Sequence, residues 1–358
     1  MDKRLWNEAT KELKPYVPGE QPAKAYIKLN TNENPYPPSP RLEKILKEFD
    51  LASLAKYPNP QGKTLRQAIA DKFELDEDMV FVGNGSDEVL YFAFKAFFGK
   101  DRPVAFADIT YSFYEVYARS LDIDYELIEL AEDLTIPVQE YINYPGGLIL
   151  ANPNAPTGLL TELSDIQAMA RTNKDRLVLV DEAYIDFGGK SAVELLKDYD
   201  NILVVRTLSK SASLAGIRVG YAMGSKSLIA ALDNVKDTIN SYTLDSVAQA
   251  LAVEAIKDGE WLEENARKIC ETREHFMAEL DSLGFKSLES KANFVFTSHP
   301  TLQASFIYEE LKAENILVRY FNTDKIDNYL RITIGRDEEM DILLDKLRKL
   351  IENSGEEK

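Results

Sequence analysis

Short apolar runs alternate with stretches of helical spacing along most of this chain. PVAFA, GGLILAN, RLVLVDEA and NILVVRTLS have the length and the Val/Ile/Leu content of buried strands. Between them, YSFYEVYARSL, SDIQAMARTN and SAVELLKDY place apolar residues at helical intervals. MVFVGNG reads as a strand running into a turn, and SDEVLYFAFKAFF as the helix it opens. RLEKILKEF and KTLRQAIADKF are further amphipathic helices. Strands that are apolar on both faces and alternate with helices predict an α/β fold, with a mostly parallel sheet flanked by helices.

The two ends follow a different rule. Residues 1–40 carry Pro15, Pro18, Pro22, Pro35, Pro37, Pro38 and Pro40, so they predict an extended arm with room for one short helix. Tyr16, Tyr26, Ile27, Leu29 and Tyr36 give that arm apolar side chains with which to lie on a surface. From Ser246 to about Leu283 the spacing is helical, interrupted at Gly259. ANFVFTS, ILVRYF and YLRITIG then read as strands flanked by the helical TLQASFIYEELKAEN and EEMDILLDKLRKLIEN. The expected division is a large domain over residues 41–245 and a smaller α+β domain built from residues 1–40 and 246–358.

Composition narrows the chemistry. The 358 residues carry a formal net charge of −18, which disfavours nucleic acid and anionic membranes as partners. An anionic cofactor would need a few placed cations. One cysteine, Cys270, allows no disulfide within the chain, and two histidines with one cysteine provide no transition-metal ligand cluster. With neither a signal-peptide core nor a bilayer-length apolar run, the expected location is the cytoplasm.

Four local features carry candidate chemistry. Gly83-Asn84-Gly85-Ser86-Asp87-Glu88 follows a strand and opens a helix, where free N–H groups and the helix dipole favour phosphate. A dinucleotide fingerprint would need glycine where Glu88 stands, so a dehydrogenase reading fails. Taken alone, Ser86 and Asp87 are equally plain helix caps. Asp181 ends a buried strand with Tyr184 close behind, and a carboxylate there is costly unless paired. It suits a protonated pyridine nitrogen or a cap on the next turn. Thr207-Leu208-Ser209-Lys210 ends another strand; a desolvated lysine forms a Schiff base with an aldehyde, and the hydroxyls suit a phosphate. Arg218 lies in an apolar segment between Gly216 and Gly220, where a guanidinium suits a bidentate phosphate contact. Together they supply a phosphate cup, a pyridinium partner and an amine.

These motifs, with PYVPG, KLNTNENPYPPSP, YPNPQGKTLRQAIA, NPNAPTG, NFVF, LVRYF and LRITIG, resemble the aspartate-aminotransferase fold type of pyridoxal-phosphate enzymes over nearly the whole chain. Within it they are most similar to the histidinol-phosphate aminotransferases. The resemblance implies pyridoxal 5'-phosphate bound covalently to Lys210, which also shuttles the proton. It implies Asp181 at the pyridine nitrogen, Tyr184 at the phenolate oxygen and Tyr111 stacked on the ring. Gly85, Ser86, Asp87, Thr207, Ser209 and Arg218 would line the phosphate end. Tyr57 would reach the neighbouring subunit's cofactor, implying a homodimer. Arg331 would clamp a carboxylate, Arg319 and Tyr16 the phosphate of the donor, and Asn32 would also meet substrate. The reaction so implied is amino transfer from histidinol phosphate to 2-oxoglutarate.

One position departs from the family. Ala155, in Asn152-Pro153-Asn154-Ala155-Pro156-Thr157-Gly158, stands where an asparagine is usual. The phenolate oxygen would lose a donor unless Asn154 replaces it, a bond of about 1.5–3 kcal/mol. Rival readings on the same scaffold are an aromatic amino-acid aminotransferase and a threonine-phosphate decarboxylase. A more distant one is a non-catalytic regulator, against which the net charge of −18 speaks.

Overall fold

The Val/Ile/Leu runs form strands whose alternate residues feed two different cores, as the two-residue period of a strand dictates. The computed structural model describes residues 2–7, 10, 11, 13, 19, 20 and 26–356. The arm contributes β1 (Ile27–Lys28). The central sheet uses β2 (Val80–Asn84), β3 (Val104–Ala107), β4 (Tyr125–Ile128), β5 (Gly147–Ala151), β6 (Val178–Asp181), β7 (Ile202–Thr207) and β8 (Val219–Gly224). Its seven strands lie in the order β2-β8-β7-β6-β5-β3-β4. All pairs are parallel except those of β8, which runs antiparallel to both β2 and β7. Leu148, Leu150, Val178, Val180 and Val204 enter one core; Ile149, Leu179, Leu203 and Val205 enter the other.

The C-terminal part builds a second sheet from β9 (Lys286–Ser287), β10 (Phe294–Ser298), β12 (Arg319–Tyr320) and β13 (Leu330–Thr333), in the order β12-β13-β10-β9 and antiparallel throughout. Just before β12, β11 (Ile316–Leu317) turns aside to pair in parallel with β1. Leu29 of the arm joins the core of this smaller unit.

Three local expectations change. SAVELLKDY is a short 3-10 turn, Ala192–Lys197, with four of its apolar side chains buried at once. ILVRYF is two strands broken at Val318. β8 carried no strand signal of its own, because Gly220 and Gly224 interrupt its apolar run. Gly220 is required there: a Cβ would collide with the Gly85–Ser86 backbone. Residues 246–258 also pack differently from the expected division. Helix Ser246–Lys257 places Ala248, Leu251, Ala252, Ala255 and Ile256 in the core of the large sheet, whereas helix Gly259–Ser282 sends Ile269, Phe276 and Leu280 to the smaller unit. By packing, we draw the division at Asp258 and not at residue 245. No helix among the described residues is long and apolar enough to cross a membrane.

Candidate active site

The C-terminal ends of the parallel strands are where an open α/β sheet leaves a crevice. Here Ala151, Asp181 and Thr207, from the ends of β5, β6 and β7, line one cavity of about 190 Å³ with Ser86, Asp87, Tyr111, Tyr184, Ser209, Lys210 and Arg218. Residues spread over the chain from Ser86 to Arg218 thus converge.

At one end lies a cup. Helix Gly85–Phe97 starts at the cavity, so its first N–H groups have no helical partner. Gly85 has φ +79°, and a Cβ there would come within 2.5 Å of the Arg218 guanidinium. Arg218 itself sits in the left-handed region, φ +53°, which turns its side chain back over the cup. Thr207 Oγ1 and Ser209 Oγ lie 2.9 Å apart on the opposite wall. Asp87 lines the cavity, but its carboxylate accepts from Arg218 Nη2 at 3.1 Å and from Tyr111 Oη at 2.7 Å. It orients those two side chains; an anion is not a phosphate ligand.

In the middle, Lys210 is half-buried. Its Nζ donates to the Thr31 carbonyl at 3.2 Å and lies 5.7 Å from the centre of the Tyr184 ring. The Lys210 backbone is clamped from two sides. Asn34 Nδ2 donates to the Lys210 carbonyl at 2.9 Å, and Ser211 Oγ donates to Asp186 at 2.5 Å. Asp186 in turn pairs with buried Arg206. Tyr184 Oη accepts from Asn32 Nδ2 at 2.9 Å, which leaves its own proton to donate into the cavity.

At the far end, Asp181 is buried and its carboxyl is pushed up to about 6, chiefly by loss of water. Tyr114 Oη and the Ala183 N–H donate to it and oppose that rise. Tyr114 was not singled out in the sequence; it sits in an aromatic helical run whose pattern says only "core".

A second chamber of about 180 Å³ adjoins the first and shares Thr31, Tyr111, Ala155, Tyr184 and Lys210 with it. It brings in Asn30, Asn32, Arg319 and Arg331 from the arm and the smaller sheet. Arg331 Nη2 donates to the Asn30 carbonyl at 2.9 Å, and its guanidinium lies over Phe294 and Phe321. Arg319 lies 5.5 Å from the Phe321 ring centre and forms no ion pair with a described residue. Asn32, expected at the substrate, is held by Tyr184 and Thr333 and acts on the site through Tyr184. A larger cavity, about 1000 Å³, adjoins this chamber at Arg319 and Phe321, and neither Lys210 nor Asp181 lines it.

Two sequence-predicted residues stand apart. Asn154 is buried outside the first cavity, donating to the Ile109 carbonyl at 3.0 Å and accepting from Thr110 Oγ1 at 2.7 Å, so it does not replace the missing asparagine. Ala155 lines both chambers and offers no side-chain donor. Tyr57 is 81% exposed and stacked on Tyr242, outside both chambers. Tyr16 lies outside the described residues.

A family model described as "Aminotransferase class I and II" matches residues 24–347. Histidinol-phosphate aminotransferase of Clostridium acetobutylicum is 54% identical over 350 residues, covering 97% of this chain and 99% of its own. The Clostridium beijerinckii protein of the same name is 50% identical over 355 residues, 99% of each chain. Among solved structures, histidinol-phosphate aminotransferase from Sinorhizobium meliloti in complex with pyridoxal-5'-phosphate superposes with a TM-score of 0.85 at 24% identity, covering 97% of this chain and 98% of its own. That last likeness concerns the fold alone.

Proposed function

The chain belongs to the class I and II aminotransferases, and from that premise we propose that it transfers the amino group of L-histidinol phosphate to 2-oxoglutarate, with pyridoxal 5'-phosphate as cofactor. The relatives at 50% and 54% identity over nearly the whole chain support the substrate. The observation that carries the reading is the pair of adjoining chambers. One has a phosphate cup, a carboxylate and an amine; the other has two arginines facing the same amine.

The residues present fit the cofactor. Gly85 lets the Arg218 guanidinium, and Gly220 the Gly85–Ser86 backbone, come closer than a Cβ would allow, and the cup so closed offers N–H groups, two hydroxyls and a guanidinium to a phosphate. Bound pyridoxal phosphate supplies an aldehyde for the lysine amine and a ring that accepts electrons from the carbon losing its proton. The protein does the rest. Asp181, when ionised, keeps a proton on the pyridine nitrogen. Tyr184 donates its hydroxyl proton into the cavity while Asn32 fixes its oxygen. Tyr111, tethered to Asp87, presents a ring to the cavity. The Lys210 amine would be the base that moves the proton, its reach limited by the clamp on its backbone. Arg331 serves a carboxylate and Arg319 a phosphate, the latter without an ion-pair partner among the described residues.

We place the working form as a cytoplasmic homodimer. Tyr57, Leu51 and Leu54 are all more than half exposed on one stretch of chain, with half-exposed Tyr242 against Tyr57, which suits a second copy of this chain. Tyr57 would then reach the partner's cup. The experiment is an absorption spectrum of the protein with pyridoxal phosphate, followed by glutamate formation from histidinol phosphate and 2-oxoglutarate. Bleaching of the cofactor band by histidinol phosphate, and far less by phenylalanine, is expected. Carbon dioxide released from threonine phosphate in place of glutamate formation would move the chain to the decarboxylases.

A further inference from the structure

Asp181 reaches the cavity through a carboxylate held at both oxygens. Tyr114 Oη donates to Oδ2 at 2.8 Å, and the Ala183 N–H to Oδ1 at 3.3 Å. The second contact is long, so the phenol is the main compensation for burying this charge. Tyr114 is wholly buried, its ring packed by Phe94, Phe106 and Tyr111. Phenylalanine would fill that space equally well, so packing does not account for the hydroxyl. Three tyrosines on this turn and helix direct hydroxyls at the site. Tyr111 and Tyr117 direct theirs to Asp87, at 2.7 and 3.5 Å, and Tyr114 directs its to Asp181.

We propose that Tyr114 is the positioning residue for Asp181: its hydroxyl holds the carboxylate ionised and leaves one lone pair turned into the cavity for the pyridine nitrogen. The second half rests on the cofactor reading above; the first does not. Burial and the neighbouring carboxylate hold the Tyr114 phenol far above its usual range, so it stays a donor at every working pH. The groups facing Asp181 are few. Tyr111, Tyr114 and Tyr117 come from the helix side and Asp87 from the cup, while Tyr184, Lys210, Arg218 and the arm's Glu33, which accepts from Lys28, lie in the shared cavity. The flanking strands bring Ala151 and Thr207, neither of which ionises near neutrality. Asp87 raises the Asp181 carboxyl and Tyr114 lowers it, so removing the hydroxyl leaves desolvation and Asp87 opposed only by the backbone contact.

The test starts on cofactor-free protein labelled with 13C-aspartate, the Asp181 signal being identified by its loss in Asp181→Asn. Tyr114→Phe should raise the Asp181 midpoint by about one pH unit or more, since a hydrogen bond to a charged group is being removed. Tyr117→Phe should leave it within about 0.3 unit. A midpoint unmoved by Tyr114→Phe overturns the proposal, whether or not the protein takes up pyridoxal phosphate. Should Tyr114→Phe not fold, a difluorotyrosine placed at 114, a stronger donor of nearly the same shape, should lower the midpoint; no change there overturns it equally. With 15N-labelled pyridoxal phosphate, the ring-nitrogen signal of Tyr114→Phe should move toward the unprotonated form. A moved midpoint with an unmoved ring signal would overturn the link to the cofactor. Failure of the wild type to bind pyridoxal phosphate would sink the reaction assigned above and leave the midpoint to decide the role of Tyr114.

Discussion

The two adjoining chambers differ in how far their polar groups are already satisfied. In the first, Asp181, Asp87, Tyr184 and Lys210 each have a protein partner at 3.2 Å or less. In the second, Arg319 has no ion-pair partner and Asn30 Oδ1 is buried with no hydrogen-bond partner among the described residues. A site whose groups hold one another suits a molecule that stays, because its geometry is set before binding. A site with unmet groups suits molecules that come and go, because the ligand completes it and rejection of the wrong one is strong.

The contrast is broken most severely at Lys210. Lys210→Ala should abolish the cofactor absorption band and lower amino transfer by about 10⁴-fold or more, while pyridoxal phosphate is still retained non-covalently by the rest of the first chamber. Loss of all retention would mean that the chamber is not pre-formed. Next comes acidity. Asp181 is held up to about 6 by burial. It must be ionised to pair with a pyridinium, so the affinity of cofactor-free protein for pyridoxal phosphate should fall as pH drops through about 6, by about tenfold per unit below it. Asp181→Asn should bind weakly on both sides of that midpoint, which a series of fluorescence titrations would show.

The second chamber should respond to substrate identity. Arg319→Ala should lower kcat/KM for histidinol phosphate by about 10- to 100-fold, and that for glutamate in the reverse half-reaction by less than about threefold. Equal losses would show that Arg319 serves both ligands and that the two arginines do not divide the work. The smallest effect is expected at Ala155. Asn154 is tied to Ile109 and Thr110, so the first chamber lacks that donor. Ala155→Asn should lower the pH at which the bound cofactor's absorption titrates by about one unit or less, with amino transfer changed by less than about tenfold.

Much of the first chamber was legible in the chain because each part sits at the end of a strand with its own local signal. The Gly-rich turn, DEAY and TLSK could be found separately, and their conjunction pointed to one cofactor. Tyr114 was not legible, since a buried tyrosine in a run of aromatics looks like packing. The resemblance points Asn32 and Asn154 at ligands, whereas in the fold Asn32 bonds Tyr184 and Thr333 and Asn154 bonds Ile109 and Thr157. Helix Ser246–Lys257 packs on the large sheet's core although its spacing alone fits either unit, because apolar spacing shows that a helix has a buried face but not which core receives it.

What the sequence determined by itself was the alternation that makes an α/β sheet, the strand ends that carry an amine, a carboxylate and a phosphate cup, and the family. Those properties depend on residues near one another along the chain, where period and local turn chemistry act. Only the tertiary structure decided which hydroxyl meets Asp181, that Arg319 and Arg331 share a chamber with Lys210, and that β8 joins β2 to β7. Those depend on contacts between residues far apart in sequence, fixed by packing the smaller unit and its arm over the strand ends, and no local pattern encodes such distances.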